Sequence, residues 1–467
     1  MEKFEQLHYI IVKLMRRFKV PGVAISISKE GKILYEKGFG ARDLEKNLPM
    51  TPNTLIGIGS VSKSFTAFLI LKLHQKGLID INDPVNRYLE IEPFLSHPSI
   101  TVSNLLSHST GIPSVDGQWF PIAISYGNYD RIYPISSKDD FLYHISQTKD
   151  EIFFKQGEKF FYNNDMFTLL GMIIEKLFKK DFKEVLKEEI FEPLEMHRAT
   201  VVREELEGDE LQDYIKGYIH KPQKAGSENV NQFDTPPIPF SKNLQAPGGI
   251  YASMHEMLNY GNCLVNKGNY RGNNLLNGEL FDMLWTPRID SPYGYGNNPK
   301  YCFGWVREDD FFDETLIFHG GGLGVSTSYF GLIPKQQIVV SVAENDDSGI
   351  CSLIAECAMI LLLGKNPEEV NKELKLLIIS EEISGNYKSS LGLYELNVSF
   401  KNFNIHIKVE SDDGTFNFPL IVKDLDNLEF TLFSTILNEK QTIKFYREKN
   451  TGSVKFVTYD RYLYHKL

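Results

Sequence analysis

The sequence predicts an α+β protein: a mainly antiparallel sheet flanked by helices, with a helical subdomain, followed by a small antiparallel β-barrel. Two observations support this prediction. Strand patterns lie near both ends of the first 363 residues with helical patterns between them, which fits α+β better than a βαβ repeat. After Glu382 the apolar residues alternate with a period of two in many short segments, which is typical of an up-and-down barrel or sandwich of about 85 residues.

The elements of the first part follow from local patterns. Residues 2–19 predict a helix, and the alternation over residues 23–35 predicts a hairpin. Apolar faces over residues 60–77 and 167–177 predict two more helices, whereas the polar, Pro-rich stretch 203–245 predicts a surface loop. Strands are predicted again at Leu316–Phe318, Ser326–Ile333 and Gln337–Ala343, followed by a helix to Leu363. The predicted parts are a domain at 1–365, a linker at 366–380 and a barrel at 381–467.

The composition excludes several classes of protein. The chain has 467 residues, of which 42% are hydrophobic and 24% charged, as in ordinary globular proteins. A net charge of −11 gives no electrostatic reason to expect nucleic acid or an anionic membrane as a partner. No apolar run approaches the roughly 20 residues that span a bilayer, and the acidic start of the chain is not typical of a secretory signal. We therefore expect a cytoplasmic protein with no nucleic-acid or membrane partner.

The cysteines and histidines indicate no metal centre. Cys263, Cys302, Cys351 and Cys357 form no C-x-x-C pair, and no histidine lies in an H-E-x-x-H context. Isolated buried thiols, no metal and no cofactor are therefore expected.

The sharpest motif is the tetrad Ser60-Val61-Ser62-Lys63 at the start of a predicted helix. An S-x-x-K spacing places the serine and the lysine one turn apart on the same face, where the amine can accept the serine proton if it is neutral. Neutrality near pH 7 requires the lysine pKa to fall from about 10.4, which burial can achieve.

Two rival interpretations use overlapping residues. A P-loop requires a glycine directly before the lysine, where this chain has Ser62. His319-Gly320-Gly321-Gly322 is similar to the oxyanion loop of α/β-hydrolases, but no G-x-S-x-G motif follows it in the chain. The tetrad therefore favours serine chemistry outside both of these folds.

Two further motifs accompany the tetrad. Tyr162-Asn163-Asn164 follows it after about 100 residues, and His319-Gly320-Gly321 follows about 155 residues later. The order S-x-x-K, Y-x-N, H-x-G resembles the serine β-lactamase and penicillin-binding-protein superfamily, specifically its CubicO or class C β-lactamase-like branch, over about residues 5–363. With the terminal barrel, the layout is similar to that of archaeal self-compartmentalising serine proteases, whose lipocalin-like domain is implicated in oligomerisation.

The resemblance implies the roles of the site residues. Ser60 is the expected nucleophile of an acyl-enzyme, and Lys63 and Tyr162 are expected to share the general-base work, with Lys63 stabilising the Tyr162 phenolate. The backbone N–H groups of Ser60 and Gly322 are the expected oxyanion hole. The substrate-binding and oxyanion positions are Asn164, His319, Gly321 and Gly322.

One position departs from the β-lactamase pattern. The third motif of β-lactamases begins with a lysine, whereas His319 can be uncharged at neutral pH. This replacement weakens the case for recognition of a free C-terminal carboxylate. His108 is expected to be a structural loop residue and not a catalytic one.

The leading functional hypothesis is a serine peptidase acting on short peptides, including those that contain D-amino acids, as the resemblance implies. A carboxylesterase or amidase of the same fold is the alternative, and a β-lactamase or D,D-carboxypeptidase is less favoured because no export signal is seen. A non-catalytic binding or scaffold protein is the alternative outside enzymes. A homo-oligomer formed through the terminal barrel is also expected, from the resemblance and from the strand edges that an open barrel offers.

Overall fold

The computed structural model describes two compact units, residues Met1–Met359 and Ile360–Leu467. The described ranges are 2–115, 135, 137–221, 233–296, 298–401, 403–411, 414–434 and 439–467. The finer domain limits expected at residues 365 and 380 stay predictions.

An antiparallel sheet forms the centre of the first unit. Among the described residues it has nine strands, in the spatial order Ile289–Asp290, Lys300–Tyr301, Val306–Phe311, Glu314–Gly322, Thr327–Ile333, Ile338–Glu344, Gly22–Lys29, Lys32–Asp43 and Leu48–Pro49. Its central strands are rich in valine and isoleucine, and every residue of Ile338–Glu344 is buried. The helix Met254–Val265 packs across this strand and its neighbour Gly22–Lys29.

Helices build the rest of the first unit. They are Glu2–Phe18, Ser62–Gln75, Val102–Leu106, Lys138–Ser146, Asn164–Phe178, Phe182–Leu186, Arg203–Glu207, Gln245–Gly248, Met254–Val265, Gly278–Leu284 and Ile350–Leu362, with a π-helical turn at Lys187–Phe191. Short paired strands lie at Ile56–Gly57 with Tyr251–Ala252, Ile219–His220 with Phe233–Asp234, and Asn269–Tyr270 with Asn273–Asn274. In the helix Ser62–Gln75 every residue from Ser62 to Leu73 is buried, which explains its apolar residues on all sides.

The second unit contains the predicted barrel. Helices Pro367–Val370 and Lys372–Ile383 precede strands Gly385–Ser389, Glu395–Lys401, Asn404–Ser411, Gly414–Asp424, Glu429–Ser434, Glu439–Arg447, Val454–Tyr459 and Tyr462–Lys466, which form a closed antiparallel barrel. Its core is aliphatic and aromatic, and Ile379 and Ile383 of the second helix belong to it. Tyr387 Oη donates to the Ile383 carbonyl oxygen at 2.6 Å, so the helix is tied to the first strand. The α+β fold with a terminal antiparallel barrel is confirmed.

Two sequence-based expectations need correction. The first and last barrel strands pair with each other, so the barrel is closed and the edge argument for oligomerisation is wrong. The stretch 203–245 is not simply a surface loop, because its described part includes the helix Arg203–Glu207 and the buried residues Leu206, Ile215 and Tyr218. Its apolar residues are too widely spaced to show a period, so the pattern could not reveal them.

No helix within the described ranges is long and apolar enough to cross a membrane.

Candidate active site

The proposed nucleophile lies on a short 3-10 turn between a strand and the buried helix. Ser60 belongs to the turn Gly59–Val61, and the α-helix begins at Ser62. The preceding residue Gly59 has a left-handed φ of +52°, and a Cβ there would lie 2.4 Å from the Gly322 nitrogen. Only glycine permits this contact, so Gly59 brings the serine turn against the strand Glu314–Gly322.

A glycine on the strand side makes the reciprocal approach. A Cβ on Gly321 would lie 1.9 Å from the Ile58 carbonyl oxygen and 2.6 Å from Ser328 Oγ. Ser328 Oγ donates to the same Ile58 oxygen at 2.7 Å. The strand and the serine turn are therefore in backbone contact, which places the Gly322 N–H group beside the nucleophile.

The lysine of the tetrad is fully buried and lies within reach of three oxygens. Lys63 Nζ is 3.0 Å from Ser60 Oγ, 2.5 Å from Asn164 Oδ1 and 2.8 Å from the Pro247 carbonyl oxygen. Burial holds the Lys63 pKa well below its usual value, and the nearby Asp165 carboxylate opposes this by favouring the charged form. The environment thus favours the neutral amine that a general base requires.

Two residues of the second motif, Asn164 and Tyr162, lie beside Lys63 and Ser60. Asn164 is the first residue of the helix Asn164–Phe178, and its side chain contacts the lysine. Tyr162 and Ser60 line the same cavity, and the Tyr162 ring centroid lies 4.8 Å from Lys63 Nζ. The structure thus brings Ser60, Lys63, Tyr162 and Asn164 together.

The tyrosine is held by a histidine. His108 accepts a hydrogen bond from the Asn163 N–H at Nδ1 (3.1 Å), and its carbonyl oxygen accepts from the Phe161 N–H at 2.9 Å. Both neighbours of Tyr162 are therefore bonded to His108, whose ring centroid lies 4.4 Å from the Tyr162 ring. This agrees with a structural role in a loop, although the sequence did not indicate which residue His108 holds.

The protonation of the tyrosine differs from the expected one. Burial, assisted by nearby Tyr293, raises the Tyr162 pKa above its usual value, and the Ser60 side chain opposes this only in part. A neutral phenol is therefore favoured, and a phenolate stabilised by Lys63 is not.

His319 is neutral and bonded at both nitrogens. Its Nδ1 lies 2.5 Å from the Gly320 carbonyl oxygen, and its Nε2 lies 3.1 Å from the Tyr301 hydroxyl. The carbonyl requires the proton on Nδ1, so Nε2 accepts from Tyr301. Burial and the proximity of Lys63 lower the His319 pKa to about 3, so this position carries no cation near neutral pH.

A cavity of about 510 Å³ opens beside the nucleophile. Its lining includes Ser60, Tyr162, Pro292, Tyr293, Gly294, Tyr295, Val306, Phe318, His319, Gly320, Gly321, Gly322, Tyr329 and Ser352. The sequence did not indicate Tyr293, Tyr295, Phe318 or Tyr329 as site residues, because they come from a loop and two strands that meet only in the fold.

No group of acidic, histidine and cysteine side chains suited to a metal ion occurs in the described part of the chain.

Comparisons with known proteins identify the family of this chain. The Beta-lactamase family model matches residues 9–352, which is most of the chain. The chain belongs to the beta-lactamase family. Protein Flp of Staphylococcus aureus (strain MW2) is 26% identical to this family member over 356 residues, 74% of this chain and 63% of Flp. The match thus spans less than two thirds of that relative.

Solved structures extend the likeness of this beta-lactamase family member to the barrel. The octameric penicillin-binding protein homologue from Pyrococcus abyssi is 32% identical, with a TM-score of 0.88 over 99% of this chain and 100% of that one. The D-amino acid amidase from Ochrobactrum anthropi SV3, 19% identical with a TM-score of 0.62, covers 78% of this chain and 99% of its own length, and shares the fold. The expected serine β-lactamase and penicillin-binding-protein superfamily is confirmed.

Proposed function

We propose that this chain is a serine hydrolase that forms an acyl-enzyme on Ser60 and cleaves peptides. The observation that carries the proposal is the 3.0 Å contact between Lys63 Nζ and Ser60 Oγ in a buried site. A base must lie within hydrogen-bond reach of the proton that it abstracts, and its pKa must leave it unprotonated. Lys63 lies within that reach, and burial shifts its pKa toward the neutral form.

Three oxygens lie around Lys63 Nζ, and an ammonium would donate to all of them, Ser60 Oγ included. A neutral amine has two N–H donors and one lone pair, and only Ser60 among its three oxygen partners carries a proton. The N–H groups therefore point to Asn164 Oδ1 and the Pro247 carbonyl oxygen, which leaves the lone pair for the Ser60 hydroxyl. Asn164 in this way orients the base.

The reaction then runs in two balanced steps. Ser60 Oγ forms a bond to the substrate carbonyl carbon while its proton passes to Lys63 Nζ, and the oxyanion accepts hydrogen bonds from the Ser60 and Gly322 N–H groups. The bond to the leaving nitrogen breaks, and that nitrogen takes up a proton relayed from Lys63. Water then attacks the ester carbonyl carbon and loses a proton to Lys63. The bond from that carbon to Ser60 Oγ breaks, and Oγ takes up the proton from Lys63, which releases the acid and restores the Ser60 hydroxyl.

Tyr162 is proposed as the relay in this sequence. Its neutral phenol lines the cavity beside Ser60, with the ring 4.8 Å from Lys63 Nζ, and can donate a proton to the leaving nitrogen as it accepts one from the Lys63 ammonium. This assigns the base to Lys63 and a shuttle to Tyr162, in place of equal sharing.

A strand edge that pairs with no described strand supports peptides over simple esters. Residues His319–Gly322 pair on one side with Thr327–Phe330. On the other side the described neighbouring strand pairs only as far as Phe318, opposite Val306. An extended peptide can add its backbone to such an edge, whereas a small ester has no N–H group to donate.

The test is a digest of a peptide library that includes D-amino acid residues, run beside p-nitrophenyl esters, with Ser60→Ala as control. The proposal expects peptide products that disappear in Ser60→Ala. Turnover of esters alone would assign the chain as a carboxylesterase, and turnover of β-lactams alone would assign it as a β-lactamase. No Ser60-dependent turnover at all would favour a binding or scaffold protein.

We also propose a homo-oligomer. The support is the likeness over the full length to a homologue described as octameric. Multi-angle light scattering should give a mass of two or more times the 53.5 kDa of one chain, and a single 53.5 kDa species would remove this proposal.

A further inference from the structure

The cavity beside Ser60 has an aromatic wall. Phe318 and Tyr329 are stacked with ring centroids 5.3 Å apart, and Tyr295 lies 5.5 Å from Phe318. Tyr293 lies at the mouth, 47% exposed, with its ring 5.8 Å from Tyr162. A large apolar group in this cavity would bury area against four rings, which favours aromatic and branched aliphatic side chains.

The strand leaves room for such a group. Gly320 is directly opposite Tyr329 in the ladder, so a side chain at position 320 would point to the same face as Tyr329. This face is opposite to the one on which Gly321 contacts the serine turn, and the cavity extends around the strand edge to both faces. A Cβ built on Gly320 would meet only the Ser328 carbonyl oxygen within 4 Å, at 3.9 Å. The glycine therefore keeps the cavity open and is not required by the packing of the protein.

The groups around the cavity disfavour an anion. No lysine or arginine is among its described lining residues, and His319 is neutral. Two buried carboxyl groups lie behind the wall. Glu308 Oε2 accepts from the Tyr295 N–H at 2.8 Å. Glu356 lies near Tyr295 and Tyr329, whose pKa values are raised first by burial and then by neighbouring groups that include Glu356. A carboxylate in the cavity would lose its water and gain no cation in exchange.

We propose, on the basis of the proposed function, that this cavity binds an uncharged aromatic or branched aliphatic side chain of the substrate next to the cleaved bond and rejects a free carboxylate. The preferred substrates are then peptides cleaved at an internal bond or blocked at the C-terminus, with a large apolar residue beside that bond.

The size arm of the test uses Gly320→Ala, with Gly278→Ala as its matched control. Gly278 is exposed, and a Cβ there would meet no atom within 4 Å. For otherwise identical peptides, the native ratio of kcat/KM for phenylalanine over alanine beside the cleaved bond should exceed about tenfold. Gly320→Ala should lower this ratio about tenfold, and Gly278→Ala should leave it unchanged. An unchanged ratio in Gly320→Ala would overturn the assignment of the cavity.

The charge arm compares each peptide as a free acid and as a carboxamide. The native enzyme should prefer the carboxamide by about tenfold or more in kcat/KM. Equal turnover of acid and amide would overturn the inference but leave the proposed function standing, because both would be cleaved by Ser60. A native protein that cleaves neither would instead count against the proposed function.

Discussion

The close contact between Gly321 and the serine turn predicts that a larger residue at position 321 lowers activity. In Gly321→Ala the new Cβ would lie 1.9 Å from the Ile58 carbonyl oxygen, whereas real Cβ contacts are rarely under 3.4 Å. The Cβ is attached directly to the backbone of the strand, and the oxygen belongs to the backbone of the serine turn, so neither atom can rotate away. The strand and the turn must therefore separate by more than about 1 Å. That displacement moves the Gly322 N–H group away from the position of the oxyanion, and a misplacement of this size costs about 10²-fold in rate.

Gly321→Ala should reduce the free energy of unfolding by an amount that still leaves the protein folded. Overpacking of a well-packed site costs about 1–3 kcal/mol, which a domain with a core of this size tolerates. The assay is kcat/KM for a cleaved peptide or ester, with thermal unfolding of the same sample and Gly278→Ala as the control. We expect a folded Gly321→Ala enzyme with kcat/KM lowered about 10²–10³-fold. A folded variant with activity within threefold of native would refute the assignment of the oxyanion hole.

Three further predictions concern protons. Activity should fall at acid pH as Lys63 becomes protonated. Asp165→Asn should shift this fall to lower pH, because the Asp165 charge raises the Lys63 pKa. A shift to higher pH in the pH–rate profile would contradict the effect of Asp165 on Lys63. Tyr162→Phe should lower kcat/KM for peptide amides about 10²–10⁴-fold without unfolding the protein, and native-like peptide turnover would remove the relay. His319 has a pKa of about 3 when folded and 6.5 when unfolded, so the unfolded state binds more protons between these values and stability falls as pH falls. Between pH 7 and 4 the native protein should lose about 3 kcal/mol more than His319→Gln in urea unfolding, and equal losses would contradict the buried neutral imidazole.

The sequence predicts those parts of the molecule that depend on local spacing. The S-x-x-K tetrad places Lys63 one turn from Ser60, and the structure has the two groups in contact. Period-two alternation after Glu382 predicts the barrel, and apolar spacing predicts the helix observed at Asn164–Phe178. The widely separated motifs could be joined only through the resemblance to a known family, because no local rule brings Tyr162 to Ser60.

The remaining features depend on the tertiary fold. The lysine's third partner is a backbone oxygen of Pro247, and a carbonyl group leaves no signal in a sequence. Asp165 affects the Lys63 pKa because its helix begins beside the buried amine. The aromatic wall joins Tyr295 to Phe318 and Tyr329 of two other segments, and the contact between Phe318 and Tyr329 follows from strand register and not from composition. The closure of the barrel also depends on pairing between its first and last strands.

Acylation of Ser60 with Lys63 as the base is tested by intact-mass spectrometry after incubation with a fluorophosphonate at pH 7, followed by peptide mapping. We expect one adduct per chain, located on Ser60, absent in Ser60→Ala and formed at least about 10²-fold more slowly in Lys63→Met. An adduct on another residue, or labelling of Lys63→Met at the native rate, would show that Ser60 and Lys63 do not have these roles.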